Sequence, residues 1–356
     1  MNPKFHTLAI AEVRREIADA VSLRFDVPAE LADDYRFVQG QHLTLKATIN
    51  GQEVRRSYSI CAGVDDGELR VAIKQVGGGL FSTWINSGAL KAGDSIEVMT
   101  PEGRFHAPLD AANAKHYVAF AAGSGITPIL SLIKTTLARE PKSRFTLVYG
   151  NRGTKSVMFG EALEDIKNRH LTRFSFYSLL SREAQDVPLF NGRLDRAKVA
   201  AFVDTLIPVG DIDEAFICGP GAMIDEVEAA LLAAGMDADH IHLERFGVPD
   251  AGPAHRVEPG DAATATITLI QDGLQRELAF RKEDPSILDV ALAAGMDLPF
   301  ACKGGVCCTC RAKVLEGKVR MDKNFALEPS DVDDGYVLTC QAHPLTERVV
   351  ISFDER

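Results

Sequence analysis

Five of the seven cysteines fall in the last sixth of the chain. Three of them, Cys302, Cys307 and Cys310, stand in C-x4-C-x2-C spacing, and Cys340 follows after 29 further residues. Four thiolates, three from one tight loop, can enclose two irons, and this spacing is that of a plant-type [2Fe–2S] cluster. Lys303, Gly304, Gly305 and Thr309 suit such a loop, because small residues let backbone N–H groups approach the sulfurs and tune their potential. Structural zinc sites normally pair two C-x2-C knuckles, and only one is present. A Rieske centre would use Cys340 and His343, but a second half with its own histidine is missing, and His343 reads as an ordinary turn residue before Pro344. Cys308 reads as a small buried side chain inside the loop rather than a ligand.

A second group of residues suits a flavin. Arg56, Ser57, Tyr58 and Ser59 share one strand: a guanidinium fork for a pyrophosphate, a flat ring for an isoalloxazine, and a hydroxyl for the flavin N5. Gly77-Gly78-Gly79-Leu80-Phe81-Ser82 then precedes a helix and offers backbone close to an anion. Alone, this string reads more readily as an exposed strand with a salt-bridged arginine. Its place ahead of a glycine-rich turn, a dinucleotide-like half and the cysteines favours the flavin.

A third group suits a pyridine nucleotide. Gly123, Gly125, Thr127 and Pro128 lie where a strand turns into a helix, as in a dinucleotide fold, although Pro128 stands where G-x-G-x-x-G has its third glycine. Asn151 and Arg152 end the next strand and Ser181 and Arg182 the one after, where an arginine can hold the 2′-phosphate of NADP. Cys218, Gly219 and Pro220 end a further strand, with Met223 in the following helix. Glu244 and Phe246 close the region; Phe246 is expected to cover the flavin, and Ser59, Cys218 and Glu244 to form a network at the site of hydride transfer. The plain alternatives are surface arginines and a core cysteine.

These groups need three kinds of scaffold. Short runs such as Val21–Val27, His42–Ile49, Glu68–Gln75 and Ser95–Met99, broken by turn residues, predict an antiparallel β-barrel over 1–110. Strand and helix then alternate: Tyr117–Ala122, Ile129–Ala138, Phe145–Tyr149, Phe159–Arg169, Phe174–Leu180, Val199–Leu206, Glu214–Cys218, Ala222–Ala234 and Ile241–Leu243. That predicts an α/β doubly wound parallel sheet over 111–246. Residues 247–262 hold three Gly and three Pro without periodicity and read as a linker. Strands Ala265–Ile270 and Arg276–Phe280 and a helix Ile287–Ala294 lead to the cysteines in an α+β domain, 263–356.

The whole chain of 356 residues suits several domains, and its formal net charge of −11 argues against a general basic field for nucleic acid or an anionic membrane. No signal peptide is evident, and the most apolar stretch, Tyr117–Ile133, is interrupted by Gly, Ser, Thr and Pro. A cytoplasmic protein without a membrane span is expected. The odd cysteine count points away from a disulfide framework. Glu328, Asp331, Asp333 and Asp334 read as a docking patch or, more plainly, a solvated helix end.

The order RSYS, GLFS, AAGSGITP, YGNR, CGP, LERF, CKGGVCCTC and GYVLTC resembles the ferredoxin–NADP reductase superfamily with a C-terminal ferredoxin domain (β-grasp-like), across essentially the whole chain. Within it, AIK, DEAFICGP, HLERF and FALEP look most like the reductases of phenylacetyl-CoA ring 1,2-epoxidation in aerobic phenylacetate degradation. The resemblance implies FAD, with Ile73 and Lys74 of AIK among the cofactor-binding residues. It implies NADPH as donor, with NADH as the alternative, and a di-iron oxygenase as acceptor. Similar reductases serve Rieske-type ring or steroid hydroxylases, and a non-enzymatic iron–sulfur redox sensor is the reading from another class. A plant-type cluster sits near about −400 mV, so delivery from a nicotinamide donor calls for hydrogen bonds that raise its potential.

Overall fold

Alternating apolar side chains build the first sheet. In the computed structural model, which describes residues 4–247 and 256–355, the strands are β1 (Phe5–Ile17), β2 (Ala20–Asp26), β3 (His42–Ile49), β4 (Gln52–Ser59), β5 (Leu69–Lys74) and, after helix α1 (Leu80–Asn86), β6 (Ser95–Met99). Their order is β4-β3-β6-β1-β2-β5, antiparallel throughout. The sheet curls until Ile60, just beyond β4, bridges Val71 of β5. This near-closure makes a barrel whose interior holds Leu8, Leu23, Leu43, Leu45, Val71, Ile73 and Val98, none with any measurable exposure.

The next segment alternates strand and helix: β7 (His116–Ala122), α2 (Ile126–Arg139), β8 (Arg144–Asn151), α3 (Gly160–Arg169), β9 (Phe174–Leu180), α4 (Arg196–Thr205), β10 (Glu214–Gly219), α5 (Gly221–Ala233) and β11 (Ile241–Arg245). The sheet is parallel in the order β11-β10-β7-β8-β9. The chain therefore reverses its direction of growth between β7 and β10, the switch point at which such sheets hold ligands beyond their carboxyl ends. The period of two sorts the side chains. Tyr117, Ala119 and Ala121 pack with α2 and α3, whereas Val118 and Phe120 pack with α4 and α5. Barrel and parallel sheet lie in one compact unit, Phe5–Phe246. Aligned contacts join the halves: Arg139 holds Asp65 with two 2.8 Å bonds, and Phe105 meets Phe216 edge-on at 5.4 Å.

A second unit is built on the chain from Gly247 onward. It contains β12 (Thr264–Gln271), β13 (Leu274–Arg281), α6 (Ile287–Ala293), β14 (Arg311–Glu316), β15 (Val319–Met321), α7 (Pro329–Asp333), β16 (Tyr336–Leu338), β17 (Ala342–Pro344) and β18 (Arg348–Ser352). Its main sheet runs β13-β12-β18-β14-β16, with β12 and β18 parallel. Ile287, Leu288 and Ala291 of α6 enter the core shared with Ile267, Leu269, Val349 and Ile351.

Residues 248–255 of the expected linker lie outside the described residues. From Arg256 the chain is tied to the second unit: Ala262 N–H donates to Pro344 O, and Arg320 clasps the buried carboxylate of Asp261. Among the described residues no helix is long and apolar enough to cross a membrane.

Candidate functional site: a flavin cradle, a nucleotide crevice and a four-thiol loop

The hairpin β3–β4 fixes the flavin residues. Its register sets Thr44 opposite Ser57, Leu43 opposite Tyr58 and His42 opposite Ser59. Ser57 meets Thr44 at 3.1 Å between hydroxyl oxygens. Tyr58 stands 5.8 Å from the ring of Phe81, which in turn meets Trp84 edge-on. Arg56 is exposed, its guanidinium donating, among the described residues, only to Arg55 O at 2.7 Å.

Gly77 and Gly78 leave open space where a Cβ would stand, whereas a Cβ on Gly79 would lie 2.7 Å from Ser82 Oγ. An open glycine turn and an exposed arginine are what a pyrophosphate needs, so the residues fit FAD. The structure divides the expected ligands, however. Ser82 Oγ accepts from Val76 N–H and donates to Gly79 O, so it shapes the loop. Phe81 and Ile73 are buried in the barrel core and act as walls, while Lys74 lies 3.8 Å from Asp19.

Across the parallel sheet, Cys218 of β10 pairs in register with Glu244 of β11. Ser59 Oγ reaches Glu244 Oε2 at 2.9 Å, joining the barrel to the sheet across 185 residues of sequence. Burial pushes the Glu244 carboxyl up to about 8, against the lowering effect of the Ser59 hydrogen bond. Glu244 keeps partial exposure as a residue while its carboxyl is crowded by protein. Burial, with a contribution from Glu244, also raises the Cys218 thiol well above its ordinary range. The site therefore sets a carboxyl able to hold a proton at neutral pH, bonded to Ser59, on the strand next to an uncharged thiol. Phe246, at the end of this unit, is 44% exposed.

The nucleotide residues gather at the carboxyl ends of the strands. Gly125 touches β10 so closely that a Cβ there would stand 2.0 Å from Cys218 O. Tyr149 Oη donates to Gly123 O, and Thr127 Oγ1 to Ser124 O. Pro128 is the third residue of α2, where the lack of an N–H costs nothing. Gly219 makes room for the thioether of Met223, and Pro220 precedes α5.

Asn151 is buried, and its amide nitrogen finds no acceptor among the described residues. Arg152 and Arg182 are neighbours at the ends of β8 and β9, joined by Arg182 N–H to Arg152 O, and Ser181 N–H likewise donates to Asn151 O. Both arginines are exposed, and neither guanidinium has a partner among the described residues. An orphaned buried donor beside two uncommitted cations fits a phosphorylated ligand.

Sequence reasoning missed Glu183 and Thr154. Glu183 accepts from Thr154 N–H and Oγ1 at 2.8 and 2.7 Å, linking the two arginine-bearing loops while its own charge is occupied. The only signal was a carboxylate directly following Arg182.

In the second unit the four thiols fall into two pairs, Cys302 with Cys307 and Cys310 with Cys340. Among the described residues no three His, Cys, Asp or Glu side chains converge on a single-ion site. Two thiolates on each of two irons is the arrangement these pairs fit. Left-handed backbone at Lys303, Gly305 and Cys308 wraps the loop, and Gly304 N–H points at Cys302 Sγ, 3.3 Å away.

Cys308 turns away and donates to Ala326 O at 3.2 Å. His343 is not a turn residue: it is buried in β17 and bonds Asp322 at 3.0 Å. Asp331 is likewise no solvated docking residue, being buried against Arg311 at 2.9 Å. A hydroxyl or carboxylate committed inside the fold has little left for a partner.

Comparison with known proteins agrees with this division. Residues 8–107 match the family model of the oxidoreductase FAD-binding domain, 120–229 that of the oxidoreductase NAD-binding domain, and 269–345 that of the 2Fe-2S iron-sulfur cluster binding domain. The chain is 48% identical to the E component of 1,2-phenylacetyl-CoA epoxidase from Escherichia coli (strain K12) over 352 residues, covering 99% of this chain and 98% of that one. It is 37% identical to the ferredoxin reductase component of 3-ketosteroid-9-alpha-monooxygenase from Mycolicibacterium smegmatis, covering 98% and 97%.

Among solved structures, phthalate dioxygenase reductase has the same fold with a TM-score of 0.59, 23% identity and 98% coverage of both chains. An intact type IV self-sufficient cytochrome P450 monooxygenase shares it with a TM-score of 0.70 and 20% identity, 98% of this chain spanning 41% of that larger one. The chain belongs to the ferredoxin–NADP reductase superfamily, among the members that join FAD-binding and NAD-binding domains to a C-terminal [2Fe–2S] domain, and is an NAD(P)H-dependent oxidoreductase.

Proposed function

We infer that this chain is the cytoplasmic reductase of a di-iron oxygenase, passing electrons from NADPH through FAD and the [2Fe–2S] cluster to a phenylacetyl-CoA 1,2-epoxidase. The observation that carries this reading is full-length identity of 48% with the E component of that epoxidase. Bound FAD supplies the conversion between a two-electron hydride donor and one-electron carriers.

The chain's own residues prepare each part of that traffic. Arg56 and the Gly77–Gly79 loop would hold the flavin pyrophosphate, and Tyr58 would offer its ring to the isoalloxazine. Gly123, Gly125 and the start of α2 receive the nucleotide pyrophosphate. Arg152 and Arg182 hold the 2′-phosphate, with Ser181 and Asn151 beside them, which selects NADPH over NADH. Glu244 keeps a proton at its carboxyl, and Ser59, whose hydroxyl bonds that carboxyl, would link it to the flavin edge. Cys218, buried and uncharged beside Glu244, would keep this end of the crevice neutral. Cys302, Cys307, Cys310 and Cys340 hold the cluster.

The 37% identity with a ketosteroid monooxygenase component favours a second reading, a reductase for another oxygenase. The test is reconstitution. Purified protein with NADPH and the phenylacetyl-CoA oxygenase components should restore epoxide formation, and a ketosteroid oxygenase should not turn over. Turnover with the second alone would establish the second reading. An anaerobic NADPH titration that bleaches neither flavin nor cluster would refute both and favour a redox sensor.

A further inference from the structure

The geometry points to Gln341 as the residue that tunes the iron–sulfur cluster, through a side-chain N–H aimed at the sulfur of Cys340. Gln341 follows that ligand directly and is only 4% exposed. Its backbone is held on both sides: its N–H donates to Leu338 O, and its carbonyl accepts from Asp322 N–H. The side chain therefore has little freedom. Its Nε2 lies 3.0 Å from Lys303 O and 2.9 Å from Cys340 O. Two carbonyl oxygens at one end identify that end as the NH2 group, because an amide oxygen there would face only acceptors.

The same nitrogen lies 3.7 Å from Cys340 Sγ. One N–H goes to Lys303 O, and the other is shared between the carbonyl and the sulfur of Cys340. The amide thus stitches the three-cysteine loop to the turn between β16 and β17 that carries the fourth cysteine. Room for it comes from Gly305, whose absent Cβ would stand 3.4 Å from Gln341 Cγ.

An N–H on a ligating sulfur stabilises whichever state carries more negative charge there, and that is the reduced cluster. A buried donor acts more strongly than an exposed one, because no water competes for the sulfur. Gln341 accordingly raises the cluster's potential relative to the flavin's. The inference requires the cluster but neither the identity of the donor nor that of the oxygenase.

The test is Gln341→Met in the full-length holoprotein, which keeps an unbranched chain of similar length and removes the donor. A mediated redox titration read by electron paramagnetic resonance gives the cluster potential, and the flavin absorbance gives an internal reference. The equilibrium between reduced flavin and oxidised cluster should move at least threefold toward flavin, about 28 mV at 59 mV per tenfold for one electron. The flavin potential should not move. The resonance arises only from intact clusters, so a partly loaded variant still reports. An unchanged cluster potential overturns the inference, and so does a variant that assembles no cluster, which would make Gln341 an assembly residue.

Discussion

Replacing Gly125 with alanine should damage hydride transfer severely. A Cβ there would stand 2.0 Å from Cys218 O, 2.5 Å from its carbonyl carbon and 2.9 Å from Gly219 N. Carbon and oxygen settle at about 3.3 Å or more, so the approach is short by roughly 1.3 Å. All three obstructing atoms are backbone, and no rotamer relieves them. Either α2 retreats from β10, or the end of β10 that carries Cys218 peels away from the sheet.

Overpacking of this kind costs about 3 kcal/mol, roughly 6–12 °C in melting temperature for a unit of this size. A displacement near 1 Å at a reacting centre costs on the order of 100-fold in rate. Gly123→Ala is the control. Gly123 has φ of 56° and open space at its Cβ position, so in the protein without nucleotide it incurs only left-handed backbone strain of about 1–2 kcal/mol, and its loss should fall on NADPH binding rather than on the rate at saturating NADPH. Stopped-flow reduction of the flavin by NADPH, with thermal unfolding of both variants, decides the matter. Wild-type stability and a rate within threefold in Gly125→Ala would refute the argument that this contact sets the crevice.

Glu244→Gln should remove a pH dependence. The raised carboxyl keeps its proton in the folded state between its ordinary 4.5 and about 8, while the unfolded chain releases it first, so wild-type stability falls as pH rises through that window. Identical urea-unfolding profiles for wild type and variant would refute the shift. Arg152→Ala and Arg182→Ala should each raise the NADPH KM about tenfold, roughly 1.4 kcal/mol, and leave NADH nearly untouched; equal loss for both nucleotides would remove the 2′-phosphate assignment. Arg320→Leu should destabilise the second unit by on the order of 3 kcal/mol, because it removes the guanidinium that pairs with the buried carboxylate of Asp261 and with Asp322. Arg320 holds Asp261 down to about 2, so that stabilisation is complete above the ordinary aspartate value of 3.8 and is lost as acid is added toward pH 2. A variant as stable as wild type at pH 7 would show the clasp to be idle. Cys308→Ser should retain the visible spectrum of the cluster, and its loss would make Cys308 a ligand.

What could be read in the sequence was what short-range chemistry dictates. Strands His42–Ile49, Ser95–Met99 and Phe174–Leu180 appear where alternation places them. The turn Asp272-Gly273, both at positive φ, joins β12 to β13 as its residues demand. The expected helix at Ile129 begins instead at Ile126, because Pro128 reads as a barrier when it is a comfortable member of a first turn. Strands β14 to β18 escaped notice for a different reason. They are three to six residues long, and β18 finds its parallel partner in β12, distant in sequence, so nothing local announces them.

The site divides in the same way. The four cysteines proposed to hold the cluster, the glycine turns and Ser59, Cys218 and Glu244 can each be named from residue type, because thiols, bare backbone and proton carriers are scarce and distinctive. The 2.9 Å contact of Ser59 with Glu244 depends on a barrel strand and a sheet edge arriving together. The aim of the Gln341 amide depends on burial of a residue whose type is unremarkable. Groups whose chemistry is intrinsic show in the sequence. Groups whose chemistry is created by surroundings, such as a carboxyl raised by burial or an amide made potent by the absence of water, emerge only once the fold has placed them.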